Sequence, residues 1–329
     1  MRFVTSLLPI LAWRLGVAVQ LATCILPATA AESRPGLVDH HQHLFSPEIV
    51  AGSSDSKVIA AHDLLRLMDE AGVARAVVLS TAYQFGNPNK PPVENEYARV
   101  MQENDWTATQ ASRSGGRLIA MCSFNPLKDY ALAELERCAR DRHFGRGIKL
   151  HFGNSDIQLE EVTHLAALRK IFSAANRHRM AIIVHMRPSV SRQRPYGAEQ
   201  ARVFLEKLLD AAPDVAVQIA HLAGAGGYED PAIDEALGVF VRAIAEKDPR
   251  VTRLLFDVSG VVGVGNWSPH AETIANRLRA LGLERVLYGS DGAVGDEGTP
   301  EARHDFFRML PMTDAEFARI EGNSAPYLR

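Results

Sequence analysis

The sequence predicts a single-domain (β/α)8 TIM barrel of the α/β class, placed after an N-terminal leader. Three observations point there. From Leu37 onward, eight short β-branched apolar runs alternate with amphipathic helical stretches, the pattern of a parallel sheet covered by helices. Eight strand-helix units in roughly 300 residues suit a closed barrel. The turn after the first run lacks the glycine-rich fingerprint of a dinucleotide-binding open sheet, the main competitor.

The strands are read over Leu37 to His41, Ala76 to Ser80, Leu118 to Ser123, Gly147 to His151, Ala181 to His185, Val215 to His221, Leu254 to Val258 and Val286 to Gly289. Each is four to seven residues long and rich in Val, Ile or Leu, as strands buried on both faces require. The intervening helices are read over His62 to Ala71, Glu94 to Ser112, Tyr130 to Asp141, Leu159 to Arg179, Ala198 to Ala212, Ala232 to Lys247, Ala271 to Leu281 and Glu301 to Met309. Leu64, Leu65, Met68 and Ala71 show the three-to-four spacing of a helix laid on a core. Gly115-Gly116 and Gly224-Ala225-Gly226-Gly227 read as turns, and Ser268-Pro269 as a helix start with serine as cap.

The first 30 residues are a different material. Arg2 and Arg14 are their only charges, an apolar segment runs from Leu15 to Leu26, and Pro27-Ala28-Thr29-Ala30-Ala31 follows. This describes a secretory signal peptide cleaved near Ala30, too short in its apolar part for a membrane span, which places the mature protein in the periplasm or outside the cell. Lipid anchoring at Cys24 is the alternative. Cys122 and Cys138 remain after cleavage; they read as buried, at opposite ends of the layer, and as no disulfide framework. The formal net charge of −3 becomes more negative once the leader's arginines leave, and no basic tract follows a phosphate backbone. Nucleic acid is excluded as a partner, a small molecule is expected, and self-association is left open.

On a barrel, residues at the C-terminal strand ends meet at one mouth. Those ends carry His41 and His43, Lys149 and His151, His185, His221, Asp257 and Asp291. His41 and His43 are two apart, so they share one side of the chain while His40 faces away. Four histidines and an acid with no thiolate suit Zn²⁺, with Mn²⁺ or Fe²⁺ as alternatives. His41, His43, His185 and Asp291 are the expected ligands of one divalent ion. That ion would lower the pKa of a bound water. His221 would then exchange a proton or polarise a carbonyl, and Asp291 would also take a proton.

These residues fall in short motifs. They are Val38-Asp39-His40-His41-Gln42-His43, Met68-Asp69-Glu70-Ala71-Gly72-Val73, Gly147-Ile148-Lys149-Leu150 and Val184-His185. Ala220-His221-Leu222-Ala223-Gly224, Tyr288-Gly289-Ser290-Asp291 and Gly322-Asn323-Ser324-Ala325 complete the series. In this order the chain resembles the amidohydrolase superfamily, in its amidohydrolase-related branch with decarboxylases of the aminocarboxymuconate-semialdehyde type, hydrolases and lactonases. The resemblance implies the same ligands and catalytic histidine, a closing helix at Gly322-Asn323-Ser324-Ala325, and Lys149 as either an uncarboxylated substrate contact or a carboxylated bridge between two ions. Hydrolysis of a small amide, lactone or ester is the expected reaction, with non-oxidative decarboxylation of an aromatic or muconate-like acid second and a non-catalytic binding protein third. Decarboxylation calls for a cation to hold a carboxylate, for which Arg187 and Arg194 stand beyond the fifth strand. Tyr83, Phe85, Trp106, Tyr196, Trp267 and His270 are candidate pocket walls.

Overall fold

The computed structural model describes residues 36–51, 57–145, 147–292 and 298–328. The leader, its cleavage near Ala30 and the Cys24 anchor lie outside the described residues. The strands are β1 (Val38–Gln42), β2 (Arg75–Leu79), β3 (Leu118–Ser123), β4 (Gly147–His151), β5 (Ala181–His185), β6 (Val217–Ile219), β7 (Leu254–Asp257) and β8 (Val286–Leu287). They lie side by side in chain order, every adjacent pair parallel. The residues after β8 return to β1: the His40 N–H donates to the Tyr288 carbonyl and the Asp291 N–H to the His41 carbonyl, both at 2.9 Å. These bonds join the last strand to the first, as a barrel requires.

The helices are α1 (Pro47–Val50), α2 (Ala61–Glu70), α3 (Glu96–Ser112), α4 (Ala131–Arg140), α5 (Phe152–Ser155), α6 (Val162–Arg177), α7 (Ala198–Val203), α8 (Pro231–Ala245), α9 (Ala271–Leu281), α10 (Pro300–Arg308) and α11 (Asp314–Glu321). The long ones bury one apolar stripe each, such as Leu64, Leu67 and Met68 on α2. The helix expected over Ala198 to Ala212 is three joined pieces, since α7 widens into a π-turn at Phe204–Leu208 and tightens at Leu209–Ala211. Trp267, not Ser268, stands at the cap of a short turn, and α9 proper starts at Ala271. Gly322 ends α11, so Asn323 to Ala325 follow a helix rather than form one.

Side-chain alternation divides the strands into two faces. Outward residues such as Val78, Ile148, Ile182, Val217 and Phe256 pack beneath the helices. Inside the ring, Val77, Leu79, Met121 and Ile183 form a small cluster closed by Tyr327 and Leu328. Other inward positions hold Lys149, Gln218, His41 and Asp257, all buried. Burying so many polar groups is costly unless each has a partner, and they are bonded to one another.

The cysteines correct the sequence reading. Cys122 and Cys138 form a disulfide with their Cα atoms 6.3 Å apart. Cys138 lies two turns into α4, and a descent of about 10 Å brings it level with the end of β3 rather than to the far side of the layer.

Candidate metal centre

The ends of β1 and β8 are locked together by one buried carboxylate. Asp39 Oδ1 accepts from the backbone N–H groups of His41 at 3.1 Å and Ser290 at 3.0 Å, and Oδ2 accepts from Gln42 Nε2 at 2.9 Å and Ser290 Oγ at 2.5 Å. His40 turns outward, donating from Nδ1 to the Tyr288 carbonyl at 3.0 Å and accepting at Nε2 from the Ala325 N–H at 3.2 Å. Gly289 permits the approach: a Cβ there would stand 2.9 Å from His41 Cβ. His41 and Asp291 therefore face each other across a rigid seam.

His41, on β1, and His43, just past its end, are both held in the tautomer that a cation needs. His41 Nδ1 donates to Asp257 Oδ2 at 3.1 Å, and His43 Nδ1 donates to the Leu79 carbonyl at 2.7 Å. Each therefore presents a lone pair at Nε2. These atoms converge on Asp291 Oδ1, at 3.9 Å from His41 and 3.5 Å from His43. One ligand atom from each of the three lies within 4.8 Å of the others, so nitrogen and oxygen donors of the right kind and spacing fit a divalent ion.

The other expected residues surround this triad. His185 stacks flat on His151, ring centroids 3.8 Å apart, and meets His221 edge-on at 5.0 Å; it lies beside the triad, outside the 4.8 Å grouping. His221 Nδ1 donates to the Ser259 carbonyl at 2.8 Å, which leaves its Nε2 as acceptor. Its ring lies 4.7 Å from that of His41. Lys149 is buried, with Nζ 3.2 Å from His41 Nε2. Arg187 donates from Nε and a terminal nitrogen to Asp230 Oδ2 at 3.2 and 2.9 Å, and it lies over the Tyr196 ring at 4.7 Å. Arg194 is paired with Asp156, which Arg192 also engages, so the structure does not aim Arg194 at the centre. Tyr83 packs against His151 at 5.0 Å, whereas Phe85 and Trp106 line a separate cleft beside α3.

Burial sets the protonation states. It lowers His43 to about 3 and His221 to about 4, and it holds His151 and His185 well below the ordinary imidazole range. These four rings are neutral at pH 7. Burial also lowers Lys149 to about 8, against the opposing pull of Asp257 and Asp291. For Asp257 and Asp291, burial pushes upward, but His41 and its neighbours outweigh it and both carboxyls sit below their ordinary range.

Sequence reasoning noted Asp257 at a strand end but gave it no task, and it passed over Gln218 and Ser259. Asp257 Oδ2 also accepts from Gln218 Nε2 at 2.6 Å, while Oδ1 takes the His221 N–H at 3.0 Å, the Ser259 N–H at 3.2 Å and Ser259 Oγ at 2.5 Å. Ser259 Oγ in turn lies 3.1 Å from His41 Nδ1 and 3.0 Å from His221 Nδ1. The available signal was Gln218 itself, a polar residue at an inward position of an otherwise apolar strand. His221, Leu222, Ala223 and Asp291 all adopt positive φ without being glycine. Such backbone is strained and concentrates at functional sites, here held by the Asp257 and His41 bonds.

The amidohydrolase family model matches residues 38–325. Curated proteins give no match. Among solved structures, the chain is similar to a 2,6-dihydroxybenzoate decarboxylase complexed with 2,6-dihydroxybenzoate (17% identity, TM-score 0.61, covering 88% of this chain and 96% of that one). It is also similar to a dihydroxybenzoic acid decarboxylase from Polaromonas with bound manganese and 2-nitroresorcinol (16%, TM-score 0.60, covering 89% and 96%). A probable 2-pyrone-4,6-dicarboxylic acid hydrolase from Acinetobacter baumannii with citric acid bound matches at 16% identity and a TM-score of 0.56, covering 87% and 96%. These likenesses show the barrel, and the family match spans the strand ends that carry His41 and Asp291: the chain is an enzyme of the amidohydrolase family.

Proposed function

We propose that the protein is a metal-dependent hydrolase that opens a small amide, lactone or ester. His41, His43 and Asp291 would hold the ion, with His185 as a fourth donor beside them; Zn²⁺ is the favoured metal, with Mn²⁺ or Fe²⁺ as alternatives. When bound, such an ion supplies Lewis acidity that polarises an oxygen at this spot. The observation that carries the reading is the pair of Nε2 lone pairs turned on Asp291 with His221 Nε2 as a neutral acceptor nearby. His221 would move a proton between water and leaving group, its ring fixed by Ser259. Asp291, whose side chain is 31% exposed, would accept a proton at the mouth. Lys149, uncarboxylated, would place its positive charge beside a substrate carbonyl, and Arg187 would bound the pocket.

Hydrolysis is favoured over decarboxylation because the two arginines that could grip a substrate carboxylate are already paired with Asp230 and Asp156. Decarboxylation is the second reading, supported by the names of two similar structures. Metal-loaded protein in ¹⁸O-labelled water separates them across lactones, amides, esters and aromatic acids. Hydrolysis puts label into the product; release of carbon dioxide with no label in the other product would overturn it. We further propose export to the periplasm or beyond, a compartment that suits the Cys122–Cys138 disulfide. No helix among the described residues is long and apolar enough to cross a membrane.

A further inference from the structure

The segment after α11 reaches the centre from below. Asn323 Nδ2 donates to the Leu283 and Val286 carbonyls, both at 2.7 Å, at the entry to β8. The Ala325 N–H then caps His40, and the chain turns at Pro326–Leu328 so that Tyr327 packs on the inner cluster of Val77, Leu79, Met121 and Ile183. The Tyr327 phenol donates to Gln218 Oε1. The Asp257 carboxylate, which can only accept, draws the Gln218 NH₂, so the amide oxygen points the other way and the phenol supplies its donor. The NH₂ faces Asp257 Oδ2 at 2.6 Å, and the same oxygen accepts His41 Nδ1 at 3.1 Å. An unbroken line of donors and acceptors runs from the floor of the barrel to a ligand of the ion.

We propose that Tyr327 is a positioning residue for the metal centre: through Gln218 and Asp257 it keeps His41 protonated on Nδ1, so that Nε2 carries the lone pair an ion needs. The inference rests on the metal reading above. Without the phenol, the buried Gln218 oxygen loses this donor, and the amide can shift off Asp257 to find another. Asp257 then holds His41 less firmly.

The test titrates Zn²⁺ and Mn²⁺, against a chromophoric chelator, into metal-stripped wild type, Tyr327→Phe and Leu328→Ala. Phenylalanine keeps the ring in the inner cluster and removes only the hydrogen bond; Leu328→Ala loosens the same plug and leaves the phenol. Tyr327→Phe should weaken binding about fivefold, the effect of one net hydrogen bond. Leu328→Ala should lower the melting temperature while its Kd stays at the wild-type value. A Tyr327→Phe Kd within twofold of wild type, or an equal loss in Leu328→Ala, would overturn the proposal. If wild type itself takes up neither ion, the metal reading fails first.

Discussion

Replacing Asp257 by asparagine should disable the centre without removing a single expected ligand. The carboxylate accepts five donors: His41 Nδ1 and Gln218 Nε2 on Oδ2, and the His221 N–H, the Ser259 N–H and Ser259 Oγ on Oδ1. An amide keeps one oxygen and turns the other into a donor. The two backbone N–H groups cannot change, so the oxygen of asparagine goes to them and its NH₂ faces His41. Two donors then confront each other, at a cost of about 1–3 kcal/mol for each one left unpaired. His41 escapes by moving its proton to Nε2, the atom that must carry a lone pair. Loss of an outer partner of this kind weakens metal affinity by roughly 10- to 100-fold, or about 1.4–2.8 kcal/mol. Chelator competition on purified Asp257→Asn reads this directly, with circular dichroism to check the fold. A folded variant that binds Zn²⁺ and Mn²⁺ as tightly as wild type would refute the tautomer argument.

Glu103, buried against Ser46 and Thr81, has its carboxyl raised by burial to about 7. Its folded pKa lies above the unfolded value, so its contribution is whole below about pH 4.5 and is lost as pH rises to 7. Glu103→Gln should flatten that part of the stability profile and gain roughly 1–3 kcal/mol at pH 8, read by urea titration; an unchanged slope would contradict the burial argument. Gly289→Ala would thrust a methyl to 2.9 Å from His41 Cβ, and should cost about 1–3 kcal/mol together with weaker metal binding; a variant neutral in both would show the seam to be soft. The Cys122–Cys138 bridge closes a loop with a sequence separation of 16, so replacing both cysteines by alanine should cost about 3 kcal/mol. Melting scans with and without reductant check it, since only wild type should respond.

Much of the barrel was legible because buried parallel strands are written as unbroken apolar runs, and all eight reappear within a few residues. β6 loses the most residues, expected from Val215 to His221 but paired only over Val217–Ile219. There the chain turns left-handed at His221, Leu222 and Ala223, a conformation that no propensity announces. The triad residues were legible because polar groups at strand ends in apolar surroundings stand out. Less legible were the partners. Asp257 orients His41 from across the ring, and Tyr327 reaches Gln218 over 109 positions of sequence, so only the closed fold brings them together. The disulfide was hidden for a similar reason: its formation depends on how far α4 has descended when it reaches Cys138. His185 sits at a strand end as expected, yet its ring orientation is set by stacking on His151, which depends on β4 and β5 lying in register with those two residues opposed.

If His41, His43 and Asp291 together hold a divalent cation on which turnover depends, metal and activity rise and fall together. Metal content and turnover, measured on the same preparations of wild type, metal-stripped wild type and Asp291→Asn, test it most directly. Active wild type should carry about one bound ion per chain and Asp291→Asn none, with activity that disappears with the ion and returns to wild type alone when the ion is restored. Full turnover by the metal-stripped protein would contradict it.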